Sequence, residues 1–374
     1  MEWFYIFSLC PIIIGFILSI YNKNISWKEW IIGSIVALIC ACIMHIITTF
    51  SIESDTETWS GRIVQARQFS RWKEYYEYAV YRTKYYFDSK GNMHSYQVFD
   101  HWQPTSQWHD EYWKCYSDIN TSYDISKKDF EHYVQVFNDK TSVAGCRDTG
   151  RHRSHIIAGD PNDYVANNKT GWIQPVTKQV TFENRIKASK TVFSFVDVPP
   201  TISVFKYPQN HNPFSSDRVL GTAKASINTF EWDKMNARLG KTKKVNVIII
   251  GFDSEDNSLG DYQQAKFING KKNDVVLCYG KGWSKVFGWT DSEICKRNLE
   301  SILLNNKIDD SIIPLTEQEI NNNYLIKNWH DFDYIKAHPK TIHYVIFFIV
   351  LFVTQTGLYI FFHKNDIDEL IRGY

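Results

Sequence analysis

Apolar and polar positions follow three different rhythms along this chain. Near each end the apolar residues run unbroken: Trp3–Ile20, Trp30–Phe50 and Ile342–Phe362 contain no Asp, Glu, Lys or Arg. Runs of about 20 such residues are long enough to cross a bilayer as helices, and each is predicted to do so. A cleaved signal peptide is the competing reading for the first run, but no basic segment precedes it and Pro11 divides it. Cys10 is followed by Pro11, which disfavours a lipoprotein signal.

From Trp72 to Phe87 the pattern alternates, placing Trp72, Tyr76, Tyr78 and Val80 on one face of a strand. The turn residues 88–92 and a second alternating run, 93–102, predict a hairpin. Lys127–Asn138 has helical spacing of Phe130, Tyr133, Val134 and Phe137 behind a capping Ser126. Strands are expected at Gly171–Thr181, Thr191–Val198 and Ile202–Tyr207. Farther on, Val245–Phe252 and Asp274–Tyr279 are continuous apolar strands of the kind buried on both faces. Between them Ser258–Asn269 reads as a helix, which makes a strand–helix–strand unit with parallel pairing and a right-handed crossover. A helix over 229–239 is expected to stop at Gly240, and two more to open on capping boxes, Thr290 with Glu293 and Thr316 with Glu319.

The fold class is therefore a membrane-anchored α+β protein. Residues 1–50 hold two transmembrane helices, 51–228 a β-rich aromatic region, 229–341 an α/β domain, 342–362 the third transmembrane helix, and 363–374 a tail. Lys23 and Lys28 in the loop between the first two spans put that loop on the cytoplasmic side. The large block is then extracytoplasmic, although Lys336 and Lys340 beside the third span pull the other way. The bilayer is the first expected partner. With 42 basic and 41 acidic residues there is no basic excess, so no nucleic-acid partner is expected.

Chemistry is sparse. Cys115 and Cys146 are the first pair to test for a disulfide, with free buried thiols the equal alternative. Asn120 and Asn168 stand in glycosylation sequons. Asp253, Glu255 and Asp256 follow the end of a buried strand, where α/β sheets bind ligands. With Asp274 or Asp261 they could hold a divalent cation through oxygen ligands, or they could simply cap the next helix. A calcium-loop template fails, since Ser258 and Gln264 occupy its Gly and Glu positions. Arg151, His152, Arg153 and His155 suit an anion or a lipid headgroup, or else form an exposed basic loop. His101 and His109 are further imidazoles, and His45 is an ionisable group inside the second span. No nucleophile elbow, phosphate-cradling loop or dinucleotide fingerprint is present.

The run from Val245 to Gly280, with "SLGDYQQAKFINGKKNDVVLCYG", resembles the core of TPM domains over roughly residues 229–335. Asp274 stands where that family carries Gly. The resemblance implies a membrane-tethered extracytoplasmic domain followed by a transmembrane helix, here Ile342–Phe362. It further implies a role in membrane-protein assembly or a metal-dependent phosphatase activity. The expected function is thus binding or assembly of an envelope or membrane partner, with the phosphatase as the alternative.

Overall fold

The computed structural model describes residues 3–21, 26–88, 92–145, 147, 149–151, 153–169, 171–189, 195–209, 212–214, 216–336 and 338–364. Two apolar helices, α1 (Trp3–Tyr21) and α2 (Trp27–Glu53), open the chain, and Ser26 caps the second with a full capping box. Strands β1 (Ser54–Gly61), β2 (Ile63–Phe69), β3 (Trp72–Phe87), β4 (Met93–His109), β5 (Tyr112–Ser117) and β6 (Ser122–Ile125) follow. After α3 (Lys127–Phe137) come β7 (Thr141–Ala144), β8 (Ser154–Gly159), β9 (Asn162–Asn167) and β10 (Val176–Glu183). Short α4 (Arg185–Ala188), β11 (Val219–Gly221) and α5 (Ala223–Ser226) lead into α6 (Thr229–Lys243), β12 (Asn246–Gly251), α7 (Ser258–Phe267), β13 (Asp274–Gly280) and β14 (Trp283–Gly288). Helices α8 (Glu293–Asn305), α9 (Ile312–Asn323) and α10 (Thr341–Lys364) complete the order.

Helices α2 and α10 are long and apolar enough to cross a membrane; the apolar part of α1, Trp3–Ile17, is shorter. The three helices pack on one another around Phe4, Ala37, Ala41, Met44, Phe347 and Leu351, while Ile46, Phe50, Phe352 and Val353 face outward. Gly15 makes room for side chains between the helices: a Cβ there would collide with the hydroxyl of Tyr359. Polar ties cross the bundle, Trp30 Nε1 donating to Ile12 O (2.9 Å) and Gln355 Nε2 to Gly33 O (3.2 Å). Trp3, Glu53 and Tyr344 line one cavity, so the start of α1, the end of α2 and the start of α10 lie at one level.

Beyond that level the described residues form four sheets. A five-stranded antiparallel sheet, β6-β5-β2-β9-β7, buries Ile63, Ala66, Cys115 and Ala166 against Phe130, Tyr133 and Phe137 of α3. A four-stranded sheet, β11-β12-β13-β14, has three parallel strands and an antiparallel edge. The ribbon β1-β10 joins the two units: Asn273 Nδ2 donates to Thr58 O (2.7 Å), and Lys271 pairs with Asp55 (2.6 Å). The remaining sheet, β4-β3-β8, is described below.

Several details depart from the sequence expectations for physical reasons. Val219–Gly221 pairs with β12, so the α/β sheet reaches back before residue 229. Helix α6 runs through Gly240, because a Cβ there would collide with the Ser60 carbonyl and only glycine lets helix and strand meet; Lys244, at φ +52°, makes the cap instead. Ser292 caps α8 by accepting from Cys295 N (3.2 Å), and Thr316 lies inside α9 rather than at its start. Residues 202–207 join no ladder: Gln263 both donates to and accepts from the Phe205 backbone, and Phe205 and Tyr207 cover one sheet face. Part of Thr191–Val198 lies outside the described residues, and 195–198 form no strand. Both crossovers advance the same way, from β11 to β12 to β13, but α6 packs on the Val247–Ile249 face and α7 on the Ile248–Ile250 face. They therefore have opposite hands, and only one can follow the right-handed rule.

Candidate functional site

The most exposed apolar surface outside the helical bundle belongs to the hairpin β3–β4. Sixteen paired positions run from Trp72↔His109 to Phe87↔Met93, with a bulge after Val80. Strand β8 covers the other edge of β3 only as far as Tyr76. The remaining eleven residues of β3 form a two-stranded arm reaching roughly 35 Å at about 3.3 Å per residue. Cross-strand aromatic pairs hold it together, Tyr81 with Phe99 (6.2 Å) and Tyr86 with Tyr96 (6.0 Å), and Phe99 packs along β4 on Trp102 (5.6 Å). Phe87 and Met93, paired nearest the tip, are 69% and 62% exposed. An isolated hairpin is marginal in water, and apolar residues left uncovered on one mark a surface that meets something else.

The basic cluster predicted to bind an anion sits at the base of this arm. Arg151 lies over the Tyr76 ring (3.9 Å), bonds Gln107 (3.2 Å) and faces Glu74 (3.6 Å). Arg153 lies over Trp102 (4.6 Å) and pairs with Glu77 (3.1 Å). His155 rests against Tyr75 (4.8 Å), and His109 bonds Glu74 (2.9 Å) while stacked on Trp72. His152 lies outside the described residues. These groups brace the arm rather than leaving an open anion cradle, because Glu74 and Glu77 already answer both guanidinium charges. His101 bonds its neighbour Asp100 (3.0 Å).

Asp163 carries the base of the arm from below. It accepts from Arg67 Nη2 (2.8 Å) on β2, Arg147 Nη1 (2.7 Å) before β8, and the backbone of Ser70 (3.1 Å) just before β3. Burial pushes its carboxyl up, but the hydrogen bonds from Arg147, Ser70 and Arg67 together outweigh that and hold it below the ordinary aspartate value. Sequence reasoning missed it; a lone Asp in "PNDYV" gives no local sign that two arginines will meet there.

The acidic residues at the sheet do not converge. Asp253 is exposed and pairs with Lys281 (2.7 Å), whose hydrogen bond and charge hold its carboxyl below the ordinary aspartate value. Asp256 accepts from the backbone and hydroxyl of Ser258 (3.0 and 2.7 Å), which is the turn into α7. Glu255 is exposed beside them, and Asp261 pairs with Lys285. Asp274 is the correction. It begins β13 in register with Asn246, at the far end of strands that lie about 20 Å long between it and the Asp253 loop. There it is fully buried, accepting from Tyr207 OH (2.8 Å), Asn246 Nδ2 (2.8 Å) and Lys271 N (2.7 Å). Burial raises its pKa against those three donors. Among the described residues no group of three or more His, Cys, Asp or Glu side chains could hold a metal ion.

Near Asp274 a cavity of about 480 Å³ is lined by Asp55, Thr56, Tyr207 and Lys271. Its one acid is already engaged: Lys271 bonds Asp55 and Thr56 Oγ1 (2.8 Å), and Asn184 bonds Asp55 (2.9 Å), while Lys187 and Lys266 also line the cavity. Cys115, Cys278 and Cys295 are buried free thiols, each pushed up by burial, Cys115 to about 11 and Cys295 to about 12. Cys146, the partner expected for Cys115, lies outside the described residues. The side chain of Asn168 is engaged, donating to Ile63 O (2.7 Å) and Gly171 O (2.8 Å). His45 meets the Tyr5 hydroxyl (3.0 Å) between α1 and α2.

No protein-family model, curated protein or solved structure matches the chain. The resemblance to TPM domains rests on the sequence pattern alone.

Proposed function

We propose that this chain is a three-span membrane protein whose extracytoplasmic body binds an envelope or membrane protein through the aromatic arm. One observation carries the reading: β3 and β4 extend beyond β8 with tyrosines, phenylalanines and a methionine exposed along them. Cross-strand aromatic pairs contribute about 0.2–1 kcal/mol each, so the arm is braced for display more than for core formation. The common level of α1, α2 and α10 supports an arrangement with the body on one side of the bilayer and the end of α1 and the start of α2 on the other. The alternative, a TPM-like metal-dependent phosphatase, draws support only from the resemblance, since Asp274 is remote from Asp253, Glu255 and Asp256.

Photo-cross-linking in intact cells tests the binding role. A photoreactive residue at Tyr85 or Phe87 is expected to give a discrete adduct. The same probe at exposed Ile294 on α8 is the control. Equal labelling from both places would refute the arm as the binding element. For orientation, Leu304→Cys, on an exposed face of α8, should react with an impermeant maleimide before lysis. Reaction only after lysis would place the body in the cytoplasm.

A further inference from the structure

Helix α2 ends on Glu53, a buried carboxyl directly after an apolar run. Its neighbour is Glu183 at the end of β10, opposite Ser54 in the ladder, and the two residues wall the same cavities. Neighbouring carboxylates repel unless a proton or a cation lies between them. Arg185 bonds Glu183, but it is shared, for it also faces Asp333 (3.7 Å). Lys272 is turned to Glu57 (3.8 Å), and His330 to Asp333 (3.2 Å). Lys336, His338, His45 and Tyr344 also line the site, and Lys187 Nζ donates to the Ser54 carbonyl beside it (3.4 Å). Three carboxylates thus share one close guanidinium.

Two cavities have His45, Thr49, Glu53 and Glu183 as a common wall. One, about 510 Å³, continues along Ile46 and Phe50 of α2 to Phe182. The other, about 690 Å³, opens past Trp3 and Tyr344 to Lys336. An apolar slot beside a membrane helix, an acidic pair at its mouth, and Trp and Tyr at the same level match the layering of a lipid at the bilayer–water boundary.

We propose that this double cavity holds a membrane lipid with a primary-ammonium headgroup, as in phosphatidylethanolamine, its ammonium between Glu53 and Glu183 and an acyl chain along Ile46 and Phe50. The inference rests on the membrane-anchored reading above. A primary ammonium brings both the missing charge and N–H donors for two carboxylates. A choline headgroup has the charge but no N–H, so the site discriminates between them. Lys336 stands on the side where the phosphate emerges.

The test uses the full-length protein in nanodiscs of equal phosphatidylethanolamine and phosphatidylcholine, with lipid retained on the released protein counted by native mass spectrometry. Retention of the ethanolamine lipid is expected at about tenfold over choline, the worth of one charge-assisted hydrogen bond. Glu183→Gln should bring the ratio close to that of the disc. Ile46→Trp, which fills the slot without touching the acids, should lower total retention. Melting temperature reports whether each variant is folded. Wild-type protein that enters discs but keeps both lipids at the bulk ratio overturns the lipid site alone, as does a preference that neither substitution alters. Protein that stays dissolved without detergent overturns the anchored reading, and this proposal with it.

Discussion

Replacing Asp163 by alanine removes the acceptor that ties β2, the entry to β3 and the approach to β8 to one point. Its side chain is fully buried; that of Arg147 is 6% exposed and that of Arg67 25%. Arg67 can turn to water, but Arg147 is left as an unpaired buried cation, and the Ser70 amide loses its acceptor. Breaking a buried pair in this way costs about 3–5 kcal/mol, and the partial exposure of Arg67 argues for the lower end. At roughly 2–4 °C per kcal/mol for a body of this size, a loss of about 3 kcal/mol lowers the melting temperature by about 6–12 °C. Tryptophan fluorescence of the detergent-solubilised protein follows the melt, and hydrogen exchange should rise first in β2, β9 and the base of β3. Adding Arg147→Met removes the stranded charge and should restore at least about 1 kcal/mol. The pH dependence has a definite sign. Because the folded carboxyl titrates below its unfolded value near 3.9, the contribution is complete above about pH 5 and is lost as pH falls through that value toward the folded one. The wild-type advantage over Asp163→Ala should therefore shrink only in acid. A single variant within about 1 kcal/mol of wild type, or a double variant no better than the single, would refute the reasoning.

Other substitutions probe the remaining claims. Gly240→Ala, which in an ordinary helix interior gains about 1 kcal/mol, should here destabilise, because the new Cβ meets the Ser60 carbonyl; a raised melting temperature would contradict the close contact. Trp232→Ala empties a fully buried site whose indole also donates to Val247 O (3.0 Å), so a loss of about 3–5 kcal/mol is expected in denaturant titrations. Asp253→Ala, which removes an exposed ion pair with Lys281, should shift stability by less than about 1 kcal/mol, and Asp256→Ala by about 0.5–2 kcal/mol through the lost turn into α7. If the double variant instead abolished a divalent-metal-dependent phosphoester hydrolysis by the wild type, the phosphatase alternative would displace the binding role.

Legibility followed the range over which each signal acts. The hairpin at 72–102, the α3 helix with its Ser126 cap, and the β12–α7–β13 unit all appear close to where periodicity and turn residues put them. Each is decided by neighbours a few positions apart. The short β11 was invisible because three residues carry no period, and only pairing with β12 makes them a strand. Gly240 read as a stop because glycine commonly ends helices, whereas its task here is to admit β1.

The sites divide in the same way. Asp253, Glu255 and Asp256 are neighbours in sequence and remain neighbours in space, but whether Asp274 joins them depends on strand direction; parallel pairing sends it to the other end. Arg151 and Arg153 looked unpaired until the β3–β4 hairpin and β8 brought Glu74 and Glu77 beneath them. From its own residues the chain determines its apolar helices, its alternating strands and their caps, because hydrophobic transfer and backbone hydrogen bonding act locally. Which charges meet, which cavities open beside Glu53, and how far the aromatic arm stands clear are settled by tertiary structure, since Coulomb and contact forces depend on distances that linear order does not contain.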